Sequence, residues 1–224
     1  MPDTRLLLTT WLSPSFPVGA FSYSHGVETA IAAGDIADAE TAAAWVGTLL
    51  RHGSGWCDAL LLAEAWRAIQ QRDDKRLGEA ADLAAAMAPS RERLMETVNL
   101  GEAFLAAVAS GWRNADIDRI ASTTPATAYP VAVGAAAGAF AIPLRDAIAH
   151  YLSAFVANLV SVAIRLVPLG QSDGVATIAR LQPLVLGLAE RAESASLDDL
   201  GSAAIASDIA SMRHETLPAR VFRS

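Results

Sequence analysis

Cysteine is almost absent from this chain. Cys57 is the only one, so no intrachain disulfide can form, a usage compatible with a reducing compartment. Glycine-rich phosphate loops are missing too. No Gly-x4-Gly-Lys-Ser/Thr run occurs and no Gly-x-Gly-x-x-Gly follows a strand pattern, which removes the usual grounds for nucleotide binding by the chain itself. Positive charge is short: 17 Lys and Arg stand against 24 Asp and Glu, for a net charge of -7 and a pI near 5.0. That balance argues against nonspecific nucleic-acid binding and against a polybasic membrane surface. Apolar runs without charge are also short. The longest, 151–164, falls below the roughly 20 residues of a spanning helix and is bracketed by His150 and Arg165. The opening MPDTRLLLTTWL places Asp3 ahead of its apolar residues and has no small-residue cleavage site, unlike a secretory signal. These absences predict a cytoplasmic protein with no nucleic-acid or membrane partner.

What the chain has is helical pattern. Its 224 residues are enough for one large domain, and many of its 53% hydrophobic residues are alanine, a strong helix former. Helices are expected over 3–12 with Asp3 as N-cap, over 24–33 closed by Gly34, and from Asp38 or Thr41 to about His52. Others are expected over 56–71, from Asp73 or Asp74 to Ala88 with Pro89 as stop, and from Ser90 to Gly111. A weaker polar segment spans 112–124. Pro125 and Pro130 frame the entry to a helix over 131–141, where Gly134 and Gly138 permit close approach of a neighbour. A last long helix covers 173–193, with Pro183 as a candidate kink. The run 144–167 has neither Gly nor Pro and repeats Leu144, Ile148, Leu152, Phe155, Leu159, Val162 and Leu166 at helical spacing. Other faces of it are apolar as well, so its polar members Asn158, Ser161 and Arg165 need partners. Period-two alternation is absent. The fold expected is one all-α domain over 1–224, a helical bundle around a central buried helix at 144–167.

The stretch 13–28, SPSFPVGAFSYSHGVE, departs from simple helix or simple loop. Pro14 and Pro17 stiffen it, Gly19 relaxes it, and Phe16, Phe21 and Tyr23 give it three rings. It reads as a rigid, partly buried turn around which other segments pack. His25 and Glu28 could be two metal ligands, but one pair is not a zinc site and His52, His150 and His214 lie at no ligand spacing, so a structural role is expected. Cys57 among Trp56, Leu60 and Leu61 reads as a buried structural thiol rather than a nucleophile. Asp116 and Asp118 read as a solvated pair. In the last stretch, Arg213, His214, Arg220 and Arg223 stand near Asp208 and Glu215, with Val221 and Phe222 between arginines and Pro218 breaking any helix. A frayed end and an interface anchor are both compatible with that composition. A small helical enzyme, with Tyr23, His25 and Arg165 as acid–base candidates beside the aromatic turn, is the alternative to a binding protein.

Three segments in order resemble the UreF family of urease accessory proteins. They are the 13–28 turn, Asn158-Leu159-Val160-Ser161 leading through Arg165-Leu166-Val167-Pro168-Leu169-Gly170-Gln171 to Asp173-Gly174, and Ser207-Asp208-Ile209-Ala210-Ser211-Met212-Arg213-His214-Glu215 followed by Arg220-Val221-Phe222-Arg223-Ser224. The resemblance implies a helical, non-enzymatic, homodimeric protein without a cofactor or resident metal. It would join a UreD/UreH-like accessory protein and recruit the UreG-like GTPase that helps load nickel into apo-urease. By position, the implied partner-binding residues are Tyr23, His25 and Glu28 in the turn, and Arg213, His214, Glu215, Arg220 and Phe222 in a tail spanning 207–224. Free, residues 212–224 are expected to be loosely ordered, becoming ordered with the UreD-like partner.

Overall fold

The computed structural model describes residues 3–124 and 126–224. Eleven α-helices and no strand occur among them. The helices are α1 (Thr4–Trp11), α2 (Val27–Ala32), α3 (Ala39–His52), α4 (Ser54–Gln71), α5 (Asp74–Ala86), α6 (Arg91–Gly111), α7 (Ala115–Thr123), α8 (Tyr129–Ala139), α9 (Leu144–Leu166), α10 (Gln171–Ser194) and α11 (Ile205–His214). Two single 3-10 turns, Ala20–Ser22 and Leu197–Asp199, complete the order. The all-α bundle expected from the sequence is the fold observed. Pro125, expected to frame the entry to α8, lies outside the described residues.

Local chemistry starts several helices where the sequence places them. Asp3 accepts from the Arg5 amide at 2.9 Å, Asp73 from the Arg76 amide at 3.0 Å, and Ser90 from the Arg93 amide at 3.2 Å. Asp38 and Thr41 form a reciprocal capping box at the start of α3. Asn114 caps α7, turning the weak polar segment into a true helix. α10 runs unbroken through Pro183, the candidate kink.

The most enclosed helices are α4 and α8. Every residue of α8 from Pro130 to Gly138 is buried, as are Ala59 to Ala65 of α4. Their backbones touch through glycine. A Cβ on Gly134 would collide with the Leu62 carbonyl oxygen, and one on Gly138 would lie 3.1 Å from that of Trp66. The Trp66 indole N–H donates to the Ile142 carbonyl at 2.8 Å, and the Gln70 amide donates to Gly138 at 2.7 Å, so the close approach is also tied by hydrogen bonds. On the other side of α8, a Cβ on Gly101 of α6 would collide with the Thr127 carbonyl oxygen. An aromatic cluster closes one end of the core, with the buried Trp11 ring edge-on to Phe104, Trp112 and Phe140.

α9 is long and apolar enough to cross a membrane by length and composition, being longer than its charge-free stretch 151–164. Half of its apolar window is buried in the bundle, packed on α10 and α4. The remaining side, with Ala154, Phe155, Asn158, Ser161 and Arg165, faces the 13–28 turn. Thus the helix expected at the centre is buried on one side and lines a surface feature on the other.

The glycine contacts give opposite expectations for two substitutions. Gly134→Ala forces α4 and α8 apart and should cost about 1–3 kcal/mol. Gly78→Ala, in a helical position with nothing within 4 Å of the added carbon, should stabilise by about 0.5–1 kcal/mol. Thermal or urea unfolding of both variants checks the pair; a neutral Gly134→Ala would contradict the contact.

Candidate functional site

The 13–28 turn is built from left-handed backbone at Gly19, His25 and Gly26, with φ of 77°, 60° and 79°. Gly26 has a second reason to be glycine. A Cβ there would lie 2.9 Å from the Ser211 amide nitrogen, so α2 begins directly against the backbone of α11. This close approach sets two side chains, Glu28 and His214, face to face.

Glu28 is buried and its carboxylate is fully engaged. It accepts from the backbone N–H of Val221 at 2.7 Å and of Phe222 at 2.9 Å. His214, with no exposed surface, lies between two carboxylates: Nε2 is 3.2 Å from Glu28 and Nδ1 is 2.6 Å from Glu92. Arg220 pairs with the other oxygen of Glu92 at 2.5 Å. Glu215 reaches back to accept from the Arg91 amide at 2.8 Å, capping the first turn of α6. Farther along, the Arg223 amide donates to the Ser22 carbonyl at 2.9 Å, and the Ser24 amide donates to the Ser224 carbonyl at 2.9 Å. Phe222 is buried. The tail is therefore docked along the turn, which corrects the expectation of a loosely ordered segment. The physical reason is that the turn supplies acceptors and donors for the tail's own backbone groups, satisfying them without a partner.

Of the eight residues singled out for partner binding, Tyr23, His25, Glu28, His214 and Phe222 are buried, whereas Arg213, Glu215 and Arg220 are exposed. The structure brings Glu28, His214, Arg220 and Phe222 together around the tail. Tyr23 faces the same region, its hydroxyl accepting from the Asn99 amide at 3.4 Å.

His25 points elsewhere, into a buried polar cluster that sequence reasoning missed. Its Nε2 lies 2.6 Å from the Ser54 hydroxyl and its Nδ1 lies 3.4 Å from Glu96. Burial, reinforced by the nearby Arg93 charge, lowers the imidazole to a pKa of about 4, against the opposing pull of Glu96. At neutral pH the ring is thus uncharged. The ion pair of the cluster is Arg93 with Glu96, which also accepts from the Ser224 hydroxyl. Burial acts to raise the Glu96 carboxyl, but the Arg93 charge and the hydrogen bond from His25 overcome it and hold it at about 2. Asp58 accepts from the Tyr151 hydroxyl at 2.7 Å and is pushed up to about 6 by burial, less what Tyr151 and Arg93 restore. Cys57, as expected, is buried, and burial followed by the Asp58 charge raises its thiol to about 11. The members of the cluster come from the turn, α4, α6, α9 and the tail, and apart from neighbours on one helix no local spacing in the sequence joins them.

Two cavities flank this cluster. The smaller, about 70 Å³, is lined by Ser54, Cys57 and Asp58 on one side and Ser207, Asp208 and Ser211 on the other. The larger, about 210 Å³, is a groove between the turn, α6 and α9, lined by Phe16, Phe21, Tyr129, Tyr151, Phe155 and Arg165 with His25, Asp58 and Glu96 at its floor. Two of the three polar members of α9 singled out from the sequence, Asn158 and Arg165, find partners at its edge, and Ser161 lines the groove. Asn158 donates to the Tyr23 carbonyl and Arg165 to the Phe21 carbonyl, both at 3.3 Å. Of the three acid–base candidates, His25 and Arg165 line the groove and Tyr23 does not. No group of three or more His, Cys, Asp or Glu among the described residues is placed to hold a metal ion.

A raised Asp58 is a stability statement. Its folded pKa of about 6 exceeds the unfolded value near 4, so the carboxyl favours folding below about pH 4 and loses that contribution as pH rises through 6. Asp58→Asn keeps an acceptor for Tyr151 and removes the titration. It should be more stable than the parent at pH 7.5 by about 1–2 kcal/mol, discounted because Asp58 is half-buried, and equal to it near pH 4. Melting curves across that range check this; a difference independent of pH would contradict it.

The fold and the site define an all-helical protein whose C-terminal segment is docked along its N-terminal turn. The sequence pattern of the UreF family matches residues 36–182. The chain is 49% identical to the urease accessory protein UreF of Rhodopseudomonas palustris strain HaA2 over 218 residues, covering 97% of this chain and 92% of that one. It is 51% identical to the protein of the same name from strain BisA53 over 218 residues, covering 97% and 92%. It is likewise 51% identical to that of Rhizobium leguminosarum bv. viciae over 219 residues, covering 98% and 96%. The chain belongs to the UreF family of urease accessory proteins. The relatives are named as accessory proteins, not as enzymes.

Proposed function

We propose that this chain is a non-catalytic scaffold for nickel loading of urease. It joins a UreD/UreH-like protein and recruits a UreG-like GTPase, and it works in the cytoplasm as a homodimer. The observation that carries the reading is the near-50% identity, over nearly the whole chain, to proteins named for an accessory role toward urease. Nickel is cargo here, and the hydrolysis of GTP belongs to the partner.

Two surfaces support it. The first lies over the docked tail. Ile205, Ile209 and Met212 recur at i, i+4 and i+7 along the outer face of α11, and all three are exposed, as is Val221 of the tail. Arg213 and Arg223 stand among them, in no ion pair among the described residues. An apolar ridge dotted with such guanidinium groups suits a protein partner with an apolar seat and acidic rim. This is the surface assigned to the UreD-like protein. The second is the groove. Phe21 is 59% exposed at the rim of a largely apolar groove. A patch that carries both a projecting ring and a receiving groove is complementary to itself, as a two-fold interface requires. This is the surface assigned to the second copy.

Co-expression with UreD-like and UreG-like proteins, followed by affinity capture, tests the reading. The three should co-purify. Ile209→Asp should weaken capture of the UreD-like partner at least tenfold, while its melting temperature stays close to that of the parent because the side chain is on the surface. Capture unchanged by Ile209→Asp would remove the α11 face from the interface.

A further inference from the structure

Ser54, His25 and Glu96 stand in the order of a nucleophile, a base and an orienting carboxylate. Glu96 is ionised and can only accept, so the hydrogen on the His25 ring belongs on Nδ1, 3.4 Å from it. The other nitrogen, Nε2, is then the acceptor, and the Ser54 hydroxyl donates to it at 2.6 Å. This is the tautomer that acyl transfer to a serine requires. The ring packs perpendicular to that of Phe155, with centroids 5.2 Å apart, and Glu96 is held by Arg93 and the Ser224 hydroxyl. The backbone fixes Ser54 as firmly. It is the first residue of α4, between Gly53 and Gly55 at the elbow from α3. A Cβ on Gly53 would lie 2.8 Å from that of Ala204, and one on Gly55 would lie 2.9 Å from the Leu50 Cα, so glycine on both sides lets the elbow close. Gly53 offers no side-chain cap to the first-turn amides, which leaves positive potential at the nucleophile.

Ser54 lines the smaller cavity, which reaches the surface at exposed Ser202. A cavity needs roughly 10–15 Å³ to admit one water, so this one, about 70 Å³, takes a group of a few heavy atoms. Asp58 and Asp208 share its lining with Arg93 and disfavour an anionic ligand. Cys57, on the same wall, does not compete as a nucleophile. Burial raises its thiol to about 11, and the protonated sulfur donates to the Gly201 carbonyl at 3.4 Å.

We infer that Ser54 is an acyl-acceptor site for a small, uncharged, activated ester, with His25 as its general base and Glu96 as the positioning carboxylate. The Ser54 Oγ attacks the ester carbonyl carbon as its proton passes to His25 Nε2. Glu96 steadies the imidazolium through the Nδ1–H, a contact that strengthens once the ring is charged. The tetrahedral oxyanion then expels the alcohol, which takes the proton back from Nε2 and leaves a neutral ring beside a serine ester. An imidazole lowered to about 4 is a weak base. It therefore restricts the donor to an ester with a good leaving group, and it makes hydrolysis of the acyl-serine slow. The outcome is a covalent mark on the chain rather than turnover. It goes beyond the scaffold reading and does not rest on it.

Incubation of the full chain with 4-nitrophenyl acetate at neutral pH, followed by peptide mass spectrometry, tests this. Lys75, the one lysine of the sequence and well exposed, is the internal reference for indiscriminate acetylation. Ser54 should be acetylated faster than Lys75, with a burst of 4-nitrophenol equal to the amount of protein. Ser54→Ala should lose the burst. His25→Gln and His25→Asn, whose amides can still hydrogen-bond but cannot take the proton, should each slow it about a hundredfold. Circular dichroism melts show which variants fold like the parent, and the rates are read from those. Acetylation of Lys75 with none on Ser54 overturns the inference from the parent chain alone, whatever the variants do. The contact between Ser54 and His25 is then a hydrogen bond of the core and nothing more. Acetylation of Ser54 at the parental rate in a folded His25 variant overturns it as well, since the ring would then not be the base.

Discussion

The carboxylate of Glu28 is the constraint on which the rest of the site depends. It is buried, and a buried charge is tolerated only when its lone pairs are met. Here they are met by two consecutive backbone N–H groups of the tail and by the ring of His214. Charge-assisted bonds of this kind are stronger than neutral ones, and they fix direction as well as distance. Their geometry obliges residues 221 and 222 to run alongside the 13–28 turn. That course places Phe222 beneath Arg165 and delivers Ser224 to Glu96. Without Glu28 the amides of Val221 and Phe222 would lose their acceptor, and His214 of α11 would keep one carboxylate in place of two.

Beneath this polar seam, the bundle is held by shape more than by bulk. Glycines of α8 let α4 approach backbone to backbone, and Gly101 of α6 does the same toward the segment that enters α8, so dispersion contacts and side-chain-to-carbonyl hydrogen bonds replace large apolar side chains. The tight α4–α8 core is what allows α9 to spend one side on the groove. Asp58 and Tyr151, on α4 and α9, are then caught between the packed side and the open side. A carboxyl raised to about 6 in that position opposes folding at neutral pH, and such a cost is commonly carried by functional regions.

The sequence is most legible where the causes are local. Asp3, Asp38, Asp73 and Ser90 start helices because an N-cap side chain needs only the next few amides. The spacing of Gly134 and Gly138 announces close packing, and the apolar surroundings of Asn158 and Arg165 announce missing partners; the turn's carbonyls are those partners. Arg93 and Glu96 are hidden, since an Arg and a Glu three apart near a helix start look like an ordinary solvated pair. Their burial comes from the tail and the turn, segments far away in the chain. Composition alone misjudges the tail. Arg, Pro and few apolar residues describe a segment that cannot order itself, and nothing local reveals that Glu28, far upstream in the chain, orders it.

Hydrogen–deuterium exchange across residues 215–224, compared between the parent chain and Glu28→Ala, tests the central claim most directly. Loss of the carboxylate breaks a buried charged network, a change worth about 3–5 kcal/mol where such pairs have been broken. The amides of Val221 and Phe222 should then exchange at least a hundredfold faster, while those of α4 and α8 stay protected as sub-globally independent structure. Protection of Val221 and Phe222 equal to that in the parent would mean that the tail is held by something other than Glu28, and would contradict the dependence of the site on its carboxylate.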